Sequence, residues 1–170
     1  MNNTNDIRNI IMLGHGNSGK TSLTEAILHI TGAANRLGSV DDKTSICDYF
    51  EEEKEHQHSI QSSVVNASWE GKALNIIDTP GYPDFSGTSI KALPAAETAV
   101  LTVSASVGIE TNTRRMFQLA SGSNKPVIIA VNKIDADNID LPELVKNLQE
   151  TFGSQCRPAN LPAADGSEII

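Results

Sequence analysis

The sequence predicts an α/β domain, a mostly parallel sheet with helices on both faces. Three features of the chain point to it. Short apolar runs rich in Ile, Val and Leu alternate with stretches of helical period. Three polar signatures, opening at Gly14, Asp78 and Asn132, each stand at the carboxyl end of such a run, where open parallel sheets collect ligands. The length, 170 residues, suits one domain of this kind and not comfortably two.

Ile7 to Leu13 reads as a buried strand running into glycines. After Lys20, the residues Leu23, Ala26, Ile27 and Ile30 recur at helical spacing, and Gly32 stops the helix. Residues 33–58 lack periodicity and hold the acidic cluster Glu51-Glu52-Glu53-Lys54-Glu55, so a solvated, mobile segment is expected. Ile60 to Trp69 and Lys72 to Ile77 are strand-like around Glu70-Gly71 and predict a hairpin. A helical stretch after Gly81 is ended by Pro94, and Thr98 to Val103 is a further strand. Glu110 to Ser121 is a helix with Ile109, Met116, Phe117 and Ala120 on one side. Pro126 to Val131 is a β-branched run that delivers Asn132. Leu141, Leu144, Val145, Leu148 and Phe152 form the last helix, capped by Asp140 and stopped by Gly153. Residues 1–6 are expected to be disordered, 7–156 to form the core, and 157–170 to begin a connection or insertion.

Composition narrows the function. A formal charge of −8 argues against a general nucleic-acid clamp, and no sequence-specific nucleic-acid binding is expected. Cys47 and Cys156 lack a paired metal spacing and read as reduced thiols. No apolar run approaches the roughly 20 residues of a membrane span. The start, Met1-Asn2-Asn3-Thr4-Asn5-Asp6, has no signal-peptide pattern. No membrane contact and a cytoplasmic location are expected.

Gly14-His15-Gly16-Asn17-Ser18-Gly19-Lys20-Thr21 matches the phosphate-loop pattern between a strand and a helix. The bland alternative is a glycine-rich turn before a helix. Glycines let the backbone curl, so that N–H groups from His15 to Ser22 face phosphate oxygens at a positive helix end. Lys20 then reaches the β- and γ-phosphates, and Thr21 ligates Mg²⁺. Asp78-x-x-Gly81 would mean little alone, but it follows the strand Leu74 to Ile77. There Asp78 approaches Mg²⁺ through water and the Gly81 N–H senses the γ-phosphate. Asn132-Lys133-Ile134-Asp135 selects the base. An Asp135 carboxylate accepts from guanine N1–H and the 2-amino group, whereas adenine leaves it unpaired. GTP or GDP is the expected ligand, and the domain reads as a P-loop NTPase.

With these residues the chain resembles the translational GTPases, elongation factor G among them, over essentially all its length. The likeness includes Gly14-His15, Asp78-Thr79-Pro80-Gly81 with Asp84-Phe85, Asn132-Lys133-Ile134-Asp135 and Leu161-Pro162. Asp48-Tyr49-Phe50-Glu51-Glu52-Glu53-Lys54-Glu55 is similar to the family's first switch. The resemblance implies a Mg²⁺-dependent GTP-hydrolysing switch domain (a GTPase G domain, C-terminally truncated) that meets the ribosome through the full-length protein, as a monomer. It also implies that Ser59 takes the place of a Mg²⁺-binding Thr, and His56 that of an Arg. Four departures fall near the reacting water: Tyr82 for the family's His, Gly16 and His58 for the two apolar residues that gate it, and Asn17 for an Asp. The bland explanation of these departures is drift towards a weak or silent GTPase; the sharper one is a rewired site, with Lys20, Tyr82, His58 and Asn17 as its catalytic residues. Asn17 also matches the pattern of GTPases that recruit K⁺ beside the phosphates. A non-hydrolysing or very slow GTP-binding module, and a ribosome rescue or protection GTPase, stay open as alternatives. No further base-contacting loop follows Asp135, so weakened nucleotide affinity and marginal stability are expected. His29 has no partner spacing and reads as structural, and His56 as solvated.

Overall fold

The computed structural model describes residues 3–162. Five strands and five helices follow one another as β1 (Ile7–Gly14), α1 (Lys20–Ile30), α2 (Glu51–His56), β2 (Ser63–Trp69), β3 (Lys72–Asp78), α3 (Ser86–Ala92), β4 (Thr98–Ser104), α4 (Thr111–Gly122), β5 (Val127–Asn132) and α5 (Leu141–Phe152). The sheet order is β2-β3-β1-β4-β5. β3, β1, β4 and β5 run parallel, and only the edge strand β2 is antiparallel.

The central strand β1 is apolar on both faces because both are covered. Ile11 and Leu13 pack with Ile77, Leu101 and Val103 beneath α4 and α5, whose Met116, Ala120, Leu144, Leu148 and Phe152 complete that core. Met12 and Ile76 turn to the other face, against Leu28 of α1 and Val65 and Ala67 of β2. Phe117 and Phe152 stack at 4.2 Å, which fastens α4 to α5 by about 1 kcal/mol beyond the area they bury.

The local signals act as expected in most places. Glu70 and Gly71 take positive φ, 46° and 77°, the two-residue turn whose twist suits a hairpin. Asp140 accepts from the Glu143 N–H at 2.9 Å and caps α5, and Gly153 ends that helix at φ 109°.

Three expectations need correction. The acidic cluster is the helix α2, and Glu53 within it is 1% exposed. That burial depends on distant backbone amides, which a charge count along the chain does not register. β2 starts at Ser63 and not Ile60, because Ile60 and Gln61 spend their N–H groups on Glu53. Residues 4–6, expected to be disordered, form one 3₁₀ turn, tied to the sheet where Lys72 meets Asp6 at 2.6 Å. The connection expected over 157–170 is described only to residue 162, and the remainder lies outside the described residues.

Candidate nucleotide-binding site

The carboxyl ends of β1, β3 and β5 bring the three signatures to one cleft of about 610 Å³. The turn between β1 and α1 wraps over Lys20, which is buried, and its Nζ donates to the His15 carbonyl at 2.7 Å. Burial lowers the ammonium pKa to about 8, against the opposing pull of the Asp78, Asp48 and Glu110 carboxylates. Ser18 Oγ also donates to the His15 carbonyl, at 2.9 Å. Gly16, Asn17, Gly19, Thr21 and Ser22 line the same cleft.

Four oxygen-bearing side chains converge beside Lys20. Thr21 Oγ1 donates to Asp78 Oδ2 at 2.7 Å and lies 3.3 Å from Ser59 Oγ. Ser59 Oγ donates to Asp48 Oδ1 at 2.6 Å. The second oxygens of both acids, Asp48 Oδ2 and Asp78 Oδ1, are buried without a hydrogen-bond partner. Burial raises the Asp78 pKa to about 6, with the Thr21 hydrogen bond and Lys20 acting against it. Burial likewise raises that of Asp48, opposed first by the Ser59 hydrogen bond. Two desolvated carboxylates with unmet oxygens beside two hydroxyls are a hard-oxygen donor set that fits Mg²⁺. Among the described residues no three His, Cys, Asp or Glu gather as a protein-only metal site.

Two buried carboxylates hold the segment that carries Ser59. Glu53 Oε1 accepts from the Ile60 and Gln61 amides at 2.9 and 3.0 Å, and Oε2 accepts from the Phe50 amide at 3.2 Å. Glu25, fully buried on α1, accepts through Oε1 from Ser45 Oγ and the Ile46 and Cys47 amides. Glu25 thus pins the start of the segment and Glu53 its end.

Gly81 sits where a Cβ would collide with Lys20 Nζ, Gly16 N and His15 O. Next to it the Tyr82 ring covers Gly16, where an added Cβ would stand only 3.0–3.2 Å from three ring carbons. The Tyr82 hydroxyl is 3.5 Å from Asn17 Nδ2. His58 meets the Tyr82 ring edge-on at 4.8 Å between centroids and stacks on Phe85 at 6.1 Å. Nδ1 of His58 lies 3.0 Å from the His56 carbonyl. A carbonyl only accepts, so Nδ1 is the donor, and the tautomer this selects has its lone pair on Nε2. His56 is exposed on the cleft rim, and His29 is exposed on the last turn of α1.

The third signature is only partly gathered in. Asn132 Nδ2 donates to the Ser18 carbonyl at 3.2 Å, and Asn132 Oδ1 accepts from the Lys133 amide at 2.9 Å. Lys133 takes φ 57° and lines the cleft, while Asp135 is exposed.

The residues that sequence reasoning passed over as chemistry are Asp48, Glu53, Glu25, Glu110 and Asn112. Glu53 appears in the chain only as part of an acidic run, and Asp48 only as the head of a stretch similar to the family's first switch. The signal that marks them is an acid with no charged partner and buried amides to satisfy, visible only after folding.

A family model for the elongation factor Tu GTP-binding domain matches residues 5–167. An elongation factor G-like protein of Mycobacterium tuberculosis is 33% identical over 165 residues, covering 97% of this chain and 23% of that protein. Peptide chain release factor 3 of Streptococcus pyogenes is 35% identical over 163 residues, covering 94% of this chain and 32% of that protein. A crystal structure of a Thermus thermophilus protein superposes with a TM-score of 0.90 at 36% identity, over 96% of this chain and 24% of that one. The chain therefore spans about a quarter to a third of the length of these relatives.

Proposed function

This chain belongs to the elongation factor Tu GTP-binding domain family, and from that premise we propose that it is a GTP-binding and GTP-hydrolysing switch domain. The full-length protein would be an elongation-factor-G-like factor that works on ribosomes, as a cytoplasmic monomer. Among the described residues no helix is long and apolar enough to cross a membrane. One observation carries the reading: Thr21, Ser59, Asp48 and Asp78 converge beside a buried lysine at a helix N-terminus.

In this reading Lys20 and the loop amides from His15 to Ser22 bind the phosphates. Thr21 and Ser59, with Asp78 and Asp48 behind them, would hold Mg²⁺, which when bound offsets charge on the phosphate oxygens. Gly81 stands at the γ-phosphate, while Asn132, Lys133 and Asp135 read guanine. Water attacks the γ-phosphorus, the bond to the bridging oxygen breaks, and GDP and phosphate leave. His58 orients that water, because its free Nε2 lone pair accepts a proton and Tyr82 and Phe85 hold its ring. The hydroxyl of Tyr82, near Asn17, supports the water's other side. A K⁺ ion beside Asn17 is a further part of the proposal; turnover indifferent to K⁺ versus Na⁺ removes it.

Single-turnover hydrolysis tests the assignment. His58→Ala is expected to slow it about 10²-fold, and Tyr82→Phe much less. An unchanged rate in His58→Ala ends the role of that residue. A second reading, a GTP-binding module that hydrolyses very slowly or not at all, is favoured by the Tyr82 ring lying on Gly16. Hydrolysis by the full-length protein with and without ribosomes separates the two. The likeness to a release factor also keeps a rescue or protection role beside translocation.

A further inference from the structure

The first turn of α4 touches both halves of the phosphate site. Glu110, just before the helix, pairs its Oε1 with His15 Nε2 at 3.0 Å. Two residues on, Asn112 is 3% exposed and donates from Nδ2 to the Gly81 carbonyl at 2.7 Å. Its other atom, Oδ1, is buried and has no hydrogen-bond partner. An amide side chain carries donors on one arm and an acceptor on the other. Here the donor arm is used and the acceptor arm is left waiting, at a cost of the order expected for an unmet buried polar atom.

The Gly81–Tyr82 peptide has the same two faces. Its carbonyl belongs to Gly81 and its N–H to Tyr82, and the two point in opposite directions. Gly81 has no Cβ to obstruct rotation and lies against Lys20 Nζ and Gly16 N, so a change in the bound phosphate bears on it directly. Turning that peptide over sets an N–H where the carbonyl faced Nδ2, and a half-turn of the Asn112 amide then brings Oδ1 round to accept it. The Glu110–His15 contact holds the phosphate loop to α4, so motion of Gly81 against α4 is also motion against the phosphates.

We infer that Asn112 is a positioning residue that recognises both orientations of the Gly81–Tyr82 peptide and thereby sets the preference of the site between GTP and GDP. The inference rests on the proposed guanine-nucleotide binding. The inference assigns the orientation in which Asn112 holds the Gly81 carbonyl to GTP.

Titration of the chain with fluorescent GDP and with a fluorescent non-hydrolysable GTP analogue, both with Mg²⁺, tests it. Asn112→Asp keeps an acceptor and loses the donor, so its carboxylate repels the Gly81 carbonyl and welcomes the Tyr82 N–H. It is expected to shift the GTP-to-GDP affinity ratio at least tenfold towards GDP. Asn112→Ala, which serves neither orientation, is expected to shift the ratio much less. Equal weakening of both nucleotides by both variants, or an unchanged ratio in Asn112→Asp, overturns the inference. If the variants do not fold, hydrogen exchange at the Tyr82 amide of the unaltered chain decides. Protection with GDP and none with the GTP analogue supports the two orientations, and equal exchange in both overturns them. An unaltered chain that binds neither nucleotide overturns the proposed function instead.

Discussion

Replacing Glu53 by alanine removes one carboxylate that three backbone amides share. Oε1 accepts from Ile60 and Gln61, and Oε2 from Phe50, at 2.9 to 3.2 Å, in a side chain that is 1% exposed. Hydrogen bonds to a charged acceptor contribute about 1.5–3 kcal/mol each, so the three together sum to roughly 4.5–9 kcal/mol. The chain need not lose that much globally. Residues 50–61 sit at the mouth of the cleft, and releasing them costs less than leaving three amides buried and unpaired. Global stability is therefore expected to fall only slightly, with a melting temperature within a few degrees of the unaltered chain. The nucleotide site bears the loss instead, because Ser59 and His58 ride on this segment. GTP-analogue affinity with Mg²⁺ is expected to drop at least tenfold and GDP affinity markedly less. Glu53→Gln, which keeps one acceptor oxygen, should fall between. Fluorescent-nucleotide titrations with and without Mg²⁺ measure the affinities, and hydrogen exchange at Ile60 and Gln61 measures the release. If Glu53→Ala keeps both the amide protection and the GTP-to-GDP ratio, Glu53 does not hold the segment, and the reasoning fails.

Other perturbations follow from the same geometry. Gly16→Ala sets a methyl against the Tyr82 ring, so it should weaken GTP binding about tenfold. Tyr82→Ala in the same chain should restore most of that, a coupling of roughly 1–2 kcal/mol in a double-mutant cycle; no coupling would mean that the contact is not felt. Asp78 has a folded pKa of about 6 against an ordinary value of 3.8. Between those values the folded chain binds more protons than the unfolded one, so the stability of the nucleotide-free chain should fall as pH rises from about 4 to 6. Mg²⁺-dependent nucleotide binding should rise over pH 5 to 7 as that carboxyl ionises, and Asp78→Asn should abolish this dependence while leaving the free chain at least as stable. Lys20 runs the other way, with a folded value of about 8 against 10.5. Across that interval the unfolded chain holds more protons, so stability should increase with pH, whereas nucleotide affinity should decline above about pH 8 as the ammonium is lost. Thermal melts and titrations across pH 4 to 10 check each sign.

Much of this protein is legible without its fold. The phosphate loop needs glycines, a lysine and a hydroxyl at fixed short spacing, and its helix and strand flank it directly. Ser59 is reached only through the resemblance to the family's first switch, and the structure brings its hydroxyl to 3.3 Å from Thr21. The strands of the parallel sheet announce themselves because burial on both faces demands continuous apolar runs. The loop and the strands each follow a local rule, satisfied within a few residues.

What the chain order leaves silent is what meets across it. The acidic run 51–55 carries four glutamates of the same chemical type, and only one of them, Glu53, is buried against amides on both sides of its own helix. Asn112 and Glu110 look like ordinary polar residues at a helix start until α4 lies against Gly81 and His15. Asp48 becomes part of a cluster of side-chain oxygens only when Ser59, Thr21 and Asp78 gather beside it. By itself the sequence determined that guanine nucleotide chemistry sits at the strand ends, because short-range backbone geometry and spacing suffice for that. Which acids are buried, which amides they satisfy and which helix meets Gly81 and His15 were decided by tertiary structure, because desolvation and hydrogen-bond partnership depend on contacts made between residues far apart in the chain.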